Sequence, residues 1–164
     1  MRFFIVLFAI VLSFGIELPE KFSADFNQTI VSDRKTLHYS GKVYYKNNEI
    51  VWEYTKPYKK TIWVKDKIYV YEPDLMQVTV IEKKEANLIT LIKHAKKTAK
   101  NQYIAKYNGI EYHFKLSGKY PKIIYYTDKM GNIVKVVFFN IKKEVNKNIF
   151  TPNFPDDVDV IYQK

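Results

Sequence analysis

Three histidines are the side chains best suited to hold a metal ion or move a proton, and their spacing argues against both roles. His38, His94 and His113 fall in a strand pattern, a helix pattern and a second strand pattern, with no two at the short intervals that place ligands around one ion. Surface or packing roles suit them better. Glu49 and Glu53 flank the apolar Ile50-Val51-Trp52, and carboxylates so placed along a strand are usually solvated charges. The chain has no Cys, which removes a disulfide framework, a thiolate metal site, a thiol nucleophile and a lipid-anchored cysteine together. It contains no G-x-S-x-G elbow, phosphate-cradling glycine loop or H-E-x-x-H helix, and its 5 glycines are too few to build several such loops. The residues therefore predict no catalysis, no metal and no cofactor.

Composition is informative in one respect. A chain of 164 residues with 47% hydrophobic and 27% charged residues supports one domain with a real core. The aromatic share of 16%, with 14 Tyr and 11 Phe, favours half-buried pleated strands, because flat rings pack well across a sheet. Lys and Arg exceed Asp and Glu by 27 to 17, a net charge of +10. Such a field attracts nucleic acid, an anionic membrane surface or an acidic partner alike, and names none of them.

The front of the chain reads as an address. Met1 and Arg2 precede an apolar run over residues 3–12, and Ser13-Phe14-Gly15 puts small residues where a signal peptidase reads. The run falls short of the roughly 20 apolar residues a bilayer span needs. Residues 1–15 are thus a predicted cleavable secretory signal, and residues 16–164 a single soluble, exported domain.

Behind it, Phe22, Ala24, Phe26, Gln28 and Ile30 share one parity, the period of a strand with one buried face. Residues 37–45 and 50–54 flank Asn47-Asn48, a local hairpin signal. Residues 61–64 and 67–71 repeat the pattern across Lys65-Asp66, and residues 76–81 follow the turn at Glu72-Pro73-Asp74. Over residues 85–97 the period changes, with Leu88, Leu91, Ile92 and Ala95 at helical spacing and lysines opposite. Strands resume at 103–107 and 110–116 around Asn108-Gly109, then at 123–127 and 133–141, and the tail over 150–161 reads as an extended edge strand after a loop. Some nine to eleven strands joined by hairpins make a sheet large enough to curl, which one helix cannot cover. An apolar concave face, partly lidded, either dimerises or holds a greasy ligand.

Several local patterns follow one another: Phe22-x-Ala24-x-Phe26-x-Gln28, Gly41 ahead of an aromatic strand, Trp52-x-Tyr54-x-x-Pro57, Ile68-Tyr69-Val70-Tyr71-x-Pro73 with Gln77-Val78, and Phe150-Thr151-x-x-Phe154-x-x-x-Val158-x-Val160. Their order and spacing resemble the LolA family of periplasmic lipoprotein carriers. The resemblance implies a mainly β fold with one or two helices: an unclosed antiparallel β-barrel, or half-barrel, with a helical lid over an apolar concave face. It implies a monomeric periplasmic chaperone that binds acyl chains of triacylated lipoproteins and carries them from the inner to the outer membrane. Cargo would come from a LolCDE-type ABC transporter and pass to a LolB-type receptor, without a cofactor. Parity and resemblance together nominate Phe26, Val43, Ile50, Trp52, Tyr54, Ile62, Val64, Tyr69 and Tyr71 as acyl-binding residues and Leu88, Leu91 and Ile92 as the lid.

Two departures from the family pattern stand out. Where the family has a latching arginine, Asn47-Asn48 follow Tyr44-Tyr45-Lys46, leaving Lys46 as the candidate latch, a point charge in place of a planar fork. Only residues 16–21, interrupted by Pro19, stand where the family has a full first helix. Two other readings compete. One is a lipid- or protein-binding envelope sensor domain of related fold. The other is a basic secreted protein that binds anionic polymers, for which the aromatic and lysine alternation from Tyr54 to Lys60 would supply stacking sites. An export signal argues against nucleic acid as its cargo.

Overall fold

The computed structural model describes residues 19–82 and 95–163. Within them the chain forms one sheet of 12 strands. The strands are β1 (Lys21–Val31), β2 (Thr36–Lys46), β3 (Glu49–Lys56), β4 (Lys60–Val64), β5 (Lys67–Glu72), β6 (Gln77–Glu82), β7 (Lys96–Ala99), β8 (Gln102–Tyr107), β9 (Ile110–Ser117), β10 (Tyr120–Thr127), β11 (Ile133–Lys142) and β12 (Asp159–Gln163). Their spatial order is β12-β6-β5-β4-β3-β2-β1-β11-β10-β9-β8-β7. Two hairpin meanders, β1 to β6 and β7 to β11, are joined along the antiparallel pairing of β1 with β11. β7 and β12 are the two edges, so the sheet is unclosed. The mainly β, unclosed antiparallel architecture is the one the sequence implies, with one exception, since β12 runs parallel to β6.

The lid residues Leu88, Leu91 and Ile92, like His94 and the signal over 1–15, lie outside the described residues. The end of the predicted helix is corrected: Lys96 and Lys97 belong to β7, opposite Ile104 and Tyr103. A turn at Lys100-Asn101, with Asn101 at a φ of 60°, folds this lysine-rich stretch back onto β8. The ladder satisfies its backbone groups, which side-chain periodicity does not report.

Strand alternation sets the layers. In β1, Phe22, Ala24, Phe26, Gln28 and Ile30 are all buried, as their shared parity predicts. The β2–β3 hairpin turns on Asn47 and Asn48 at φ values of 50° and 66°, left-handed positions that asparagine tolerates. The sheet is strongly curved. Trp52 on β3 meets Phe138 on β11 with ring centroids 5.9 Å apart, although the two strands are three steps apart in the sheet. Three steps in a flat sheet span about 14 Å. Phe26 on the intervening β1 stands edge-on to both Trp52 and Tyr54 at 5.0 Å.

Gly41 sits at a close approach of β2 and β3. The β2–β3 register shifts between Ser40 and Gly41, and a Cβ on Gly41 would collide with the backbone carbonyl oxygen of Glu53. On the outer face, the segment between β11 and β12 straps across β3, β4 and β5. Phe150 packs with Val51 and Trp63, and Tyr71 lies 6.0 Å from Phe154. The Trp63 indole N–H donates to the Ile149 carbonyl at 2.8 Å. This strap contains the Phe150-Thr151 and Phe154 of the closing motif, and it carries the chain across to the edge where β12 joins β6 in parallel.

Two stability measurements follow. Gly41→Ala forces β2 and β3 apart and is expected to cost about 1–3 kcal/mol in urea unfolding, the range for overpacking a tight site; unchanged stability would show that the bulge relaxes freely. Trp63→Phe leaves the Ile149 carbonyl without its donor and trims the strap contact, and is expected to cost about 1–3 kcal/mol.

Candidate functional site

Seven of the nominated residues come together. Phe26, Val43, Ile50, Trp52, Tyr54, Ile62 and Val64 belong to one buried cluster on the inner face. Antiparallel pairing places Val43 opposite Trp52, Trp52 opposite Ile62, and Ile50 opposite Val64, so these side chains form continuous rows. The other half of the sheet completes the face with Tyr112, Phe114, Ile124, Tyr126, Val136 and Phe138. None of these six was singled out from the sequence as a lining residue. Their alternation along β9, β10 and β11 is the signal that finds them.

Tyr69 and Tyr71 are not among them. Both pack on the outer face with Val51, Trp63 and Phe150, while Ile68 and Val70 take the inner positions. The reason is register. A two-residue turn at Lys65-Asp66 would pair Val64 with Lys67 and set Tyr69 beside Ile62. Three residues, Lys65, Asp66 and Lys67, instead lie between the last paired positions, so that Val64 faces Ile68 and Ile62 faces Val70. A slip of one residue carries every side chain of the strand to the other face. Lys46, the candidate latch, ends β2 opposite Glu49 and Lys21 and is partly exposed beside the Asn47-Asn48 turn.

The inner face is apolar but not wholly so. The Tyr54 hydroxyl donates to Gln28 Oε1 at 3.0 Å, both residues being buried. The Tyr126 hydroxyl, also buried, has no hydrogen-bond partner among the described residues. A buried group left in this state costs about 1–3 kcal/mol. Burial pushes the Tyr54 hydroxyl well above the ordinary tyrosine range, with Tyr126 and Tyr39 adding to it. Tyr126 is raised by burial, then by Tyr112 and Asp128. Both therefore stay protonated, as hydrogen-bond donors, at any physiological pH.

The outer face holds several of the charges. His38 is exposed, and His113 stacks on Tyr125 at 4.5 Å with its Nε2 3.1 Å from Glu111. Glu49 pairs with Lys65 at 3.4 Å, and Glu53 accepts from the Tyr44 hydroxyl at 3.0 Å. Among the described residues no three His, Cys, Asp or Glu side chains gather as metal ligands. In the aromatic and lysine alternation, Tyr54 is in the core and the Lys60 ammonium sits 5.1 Å from its ring, leaving Tyr58 as the exposed aromatic. One exposed ring does not make a stacking platform for a nucleic-acid strand.

The chain is similar to known proteins. The family model described as "Outer membrane lipoprotein carrier protein LolA" matches residues 19–110. An outer-membrane lipoprotein carrier protein of Campylobacter jejuni is 32% identical over 159 residues, covering 94% of this chain and 91% of that one. Its namesake in Wolinella succinogenes is 32% identical over 149 residues, 87% of each chain. The one in Helicobacter pylori strain J99 is 29% identical, covering 88% of this chain and 81% of the other. Among solved structures, a LolA superfamily protein from Nitrosomonas europaea superposes with a TM-score of 0.51 at 12% identity, over 88% of this chain and 96% of that one. At that identity the likeness concerns the fold alone. A family match across more than half of the chain, joined to a relative 32% identical along nearly all of it, establishes that this chain belongs to the LolA family of outer-membrane lipoprotein carriers.

Proposed function

We propose that this chain is a non-enzymatic periplasmic chaperone that receives the acyl chains of triacylated lipoproteins on its inner face and carries them from the inner to the outer membrane. The observation that carries the reading is the continuous apolar inner face running from β5 through β1 to β8 on a sheet whose edges are not joined. Residues 1–15 serve as the export signal and residues 16–164 as the working domain. An inner-membrane ABC transporter of the LolCDE type loads the cargo and a LolB-type receptor accepts it. The chain acts as a monomer, and its lysine-rich surface steers it towards acidic partners or anionic phospholipid heads. Relatives named as lipoprotein carriers favour this reading over the envelope sensor.

The energetics explain why a carrier is needed and how it lets go. Each exposed CH₂ costs about 0.8 kcal/mol, so one 16-carbon chain costs roughly 12 kcal/mol in water. A pocket that recovered all of it would never release the chain. Here Phe26, Trp52, Tyr54 and Phe138 already pack on one another. Acyl chains exchange ring-to-ring contacts for ring-to-chain contacts, so the net gain is far smaller than the transfer energy. A sheet with two free edges widens without breaking a closed ladder, and the lid residues Leu88, Leu91 and Ile92 cover the entering chains. A receptor with modestly better contacts then draws the cargo onward.

The decisive preparation is the chain from Ile16 mixed with spheroplasts that secrete a triacylated lipoprotein. Release of that lipoprotein as a soluble one-to-one complex is expected, and Leu91→Glu should reduce it at least tenfold while circular dichroism remains that of the parent. A folded parent protein that releases nothing, in the presence of competent transporter, would remove the carrier reading.

A further inference from the structure

One polar group on the inner face is left unexplained by packing. The Tyr126 hydroxyl is buried on a face lined mainly by apolar side chains and has no hydrogen-bond partner among the described residues. Its ring packs 5.0 Å from Tyr112, so bulk is needed at this position, but bulk alone is supplied elsewhere on the same face by Phe114 and Phe138. The hydroxyl adds desolvation without an internal bond in return. Tyr54 and Gln28, on the same inner face, satisfy each other. The Tyr126 hydroxyl is thus a donor to spare, set in a greasy surface.

A hydrocarbon chain offers that donor nothing. The carbonyl oxygen where an acyl chain is joined to its head is a good acceptor, and it is the first polar atom met along such a chain. We propose that the Tyr126 hydroxyl donates a hydrogen bond to an acyl carbonyl of the bound lipid, so that the site recognises esterified or amidated chains and sets the depth to which they insert. This deepens the carrier reading and rests on it. The Tyr54–Gln28 pair keeps its own bond. Hydrocarbon length is then read loosely, by rows of apolar side chains, and the linkage is read by one fixed donor.

The test uses two probes of equal chain length, 1,2-dihexadecanoylglycerol and its dihexadecyl ether analogue, which lacks the carbonyls. Each competes for the full mature chain against the fluorescent probe N-phenyl-1-naphthylamine. The parent protein is expected to prefer the ester by about five- to tenfold, the net worth of one good hydrogen bond. Tyr126→Phe should abolish that preference by weakening the ester alone, and Tyr69→Phe, on the outer face, should leave it intact. Tyr126→Phe should melt no lower than the parent, since it removes a hydroxyl without a partner. Equal affinity of the parent for ester and ether would overturn the proposal and leave acyl carriage standing. Displacement by neither lipid would overturn both. A clear fall in melting temperature in Tyr126→Phe would show the hydroxyl bonded within the protein and would also overturn it.

Discussion

The rings of Phe26, Trp52, Tyr54 and Phe138 meet across strands that a flat sheet would hold well apart, and the rest of the structure depends on that contact. Curling brings the two meanders' inner faces together and takes a large aromatic area out of water, which stabilises a sheet too wide to stay flat. The curl in turn needs a place where backbone can approach backbone, and Gly41 with its register shift provides it between β2 and β3. Sequence, curvature and burial are thus one argument: an aromatic residue at alternate positions on β1, β3 and β11 faces a common interior, and a glycine lets the strands bend around it.

The two faces are finished differently. Over β3 to β5 the outer face is covered by the strap that contains Phe150 and Phe154, pinned by the Trp63 indole on the Ile149 carbonyl. The edge at β7 is short and presents exposed Lys96 and Lys97, charges that discourage pairing with a foreign strand. Among the described residues, an unclosed sheet thus carries an apolar inner face and a strapped outer one. That property connects the architecture with the family to which the chain belongs.

Much of this was legible in the sequence because one-sided strands and their turns leave local signals. The buried parity of β1, the Asn47-Asn48 turn and the apolar rows of β3 and β4 are set by neighbours a few residues apart. What escaped was decided by small or distant effects. One extra residue between the last paired positions of β4 and β5 moved Tyr69 and Tyr71 outward and Ile68 and Val70 inward. The strand at Lys96–Ala99 is held by its ladder with β8 and has no apolar alternation of its own to betray it. The parallel docking of β12 depends on a strap whose contacts lie on strands far earlier in the chain. Tyr126 shares its parity with Ile124, so its burial was readable, but its lack of a partner is a property of the assembled face.

The claim at the centre of this account is that cargo lies against the inner face of the sheet and not its outer one. A photo-crosslinking phenylalanine analogue placed in turn at Tyr54, on the inner face, and at Tyr69, on the outer, tests it most directly in cells that make an acylated lipoprotein. Crosslinked lipoprotein from position 54 and none from position 69 is the predicted result. Capture from position 69 with none from position 54 would contradict it.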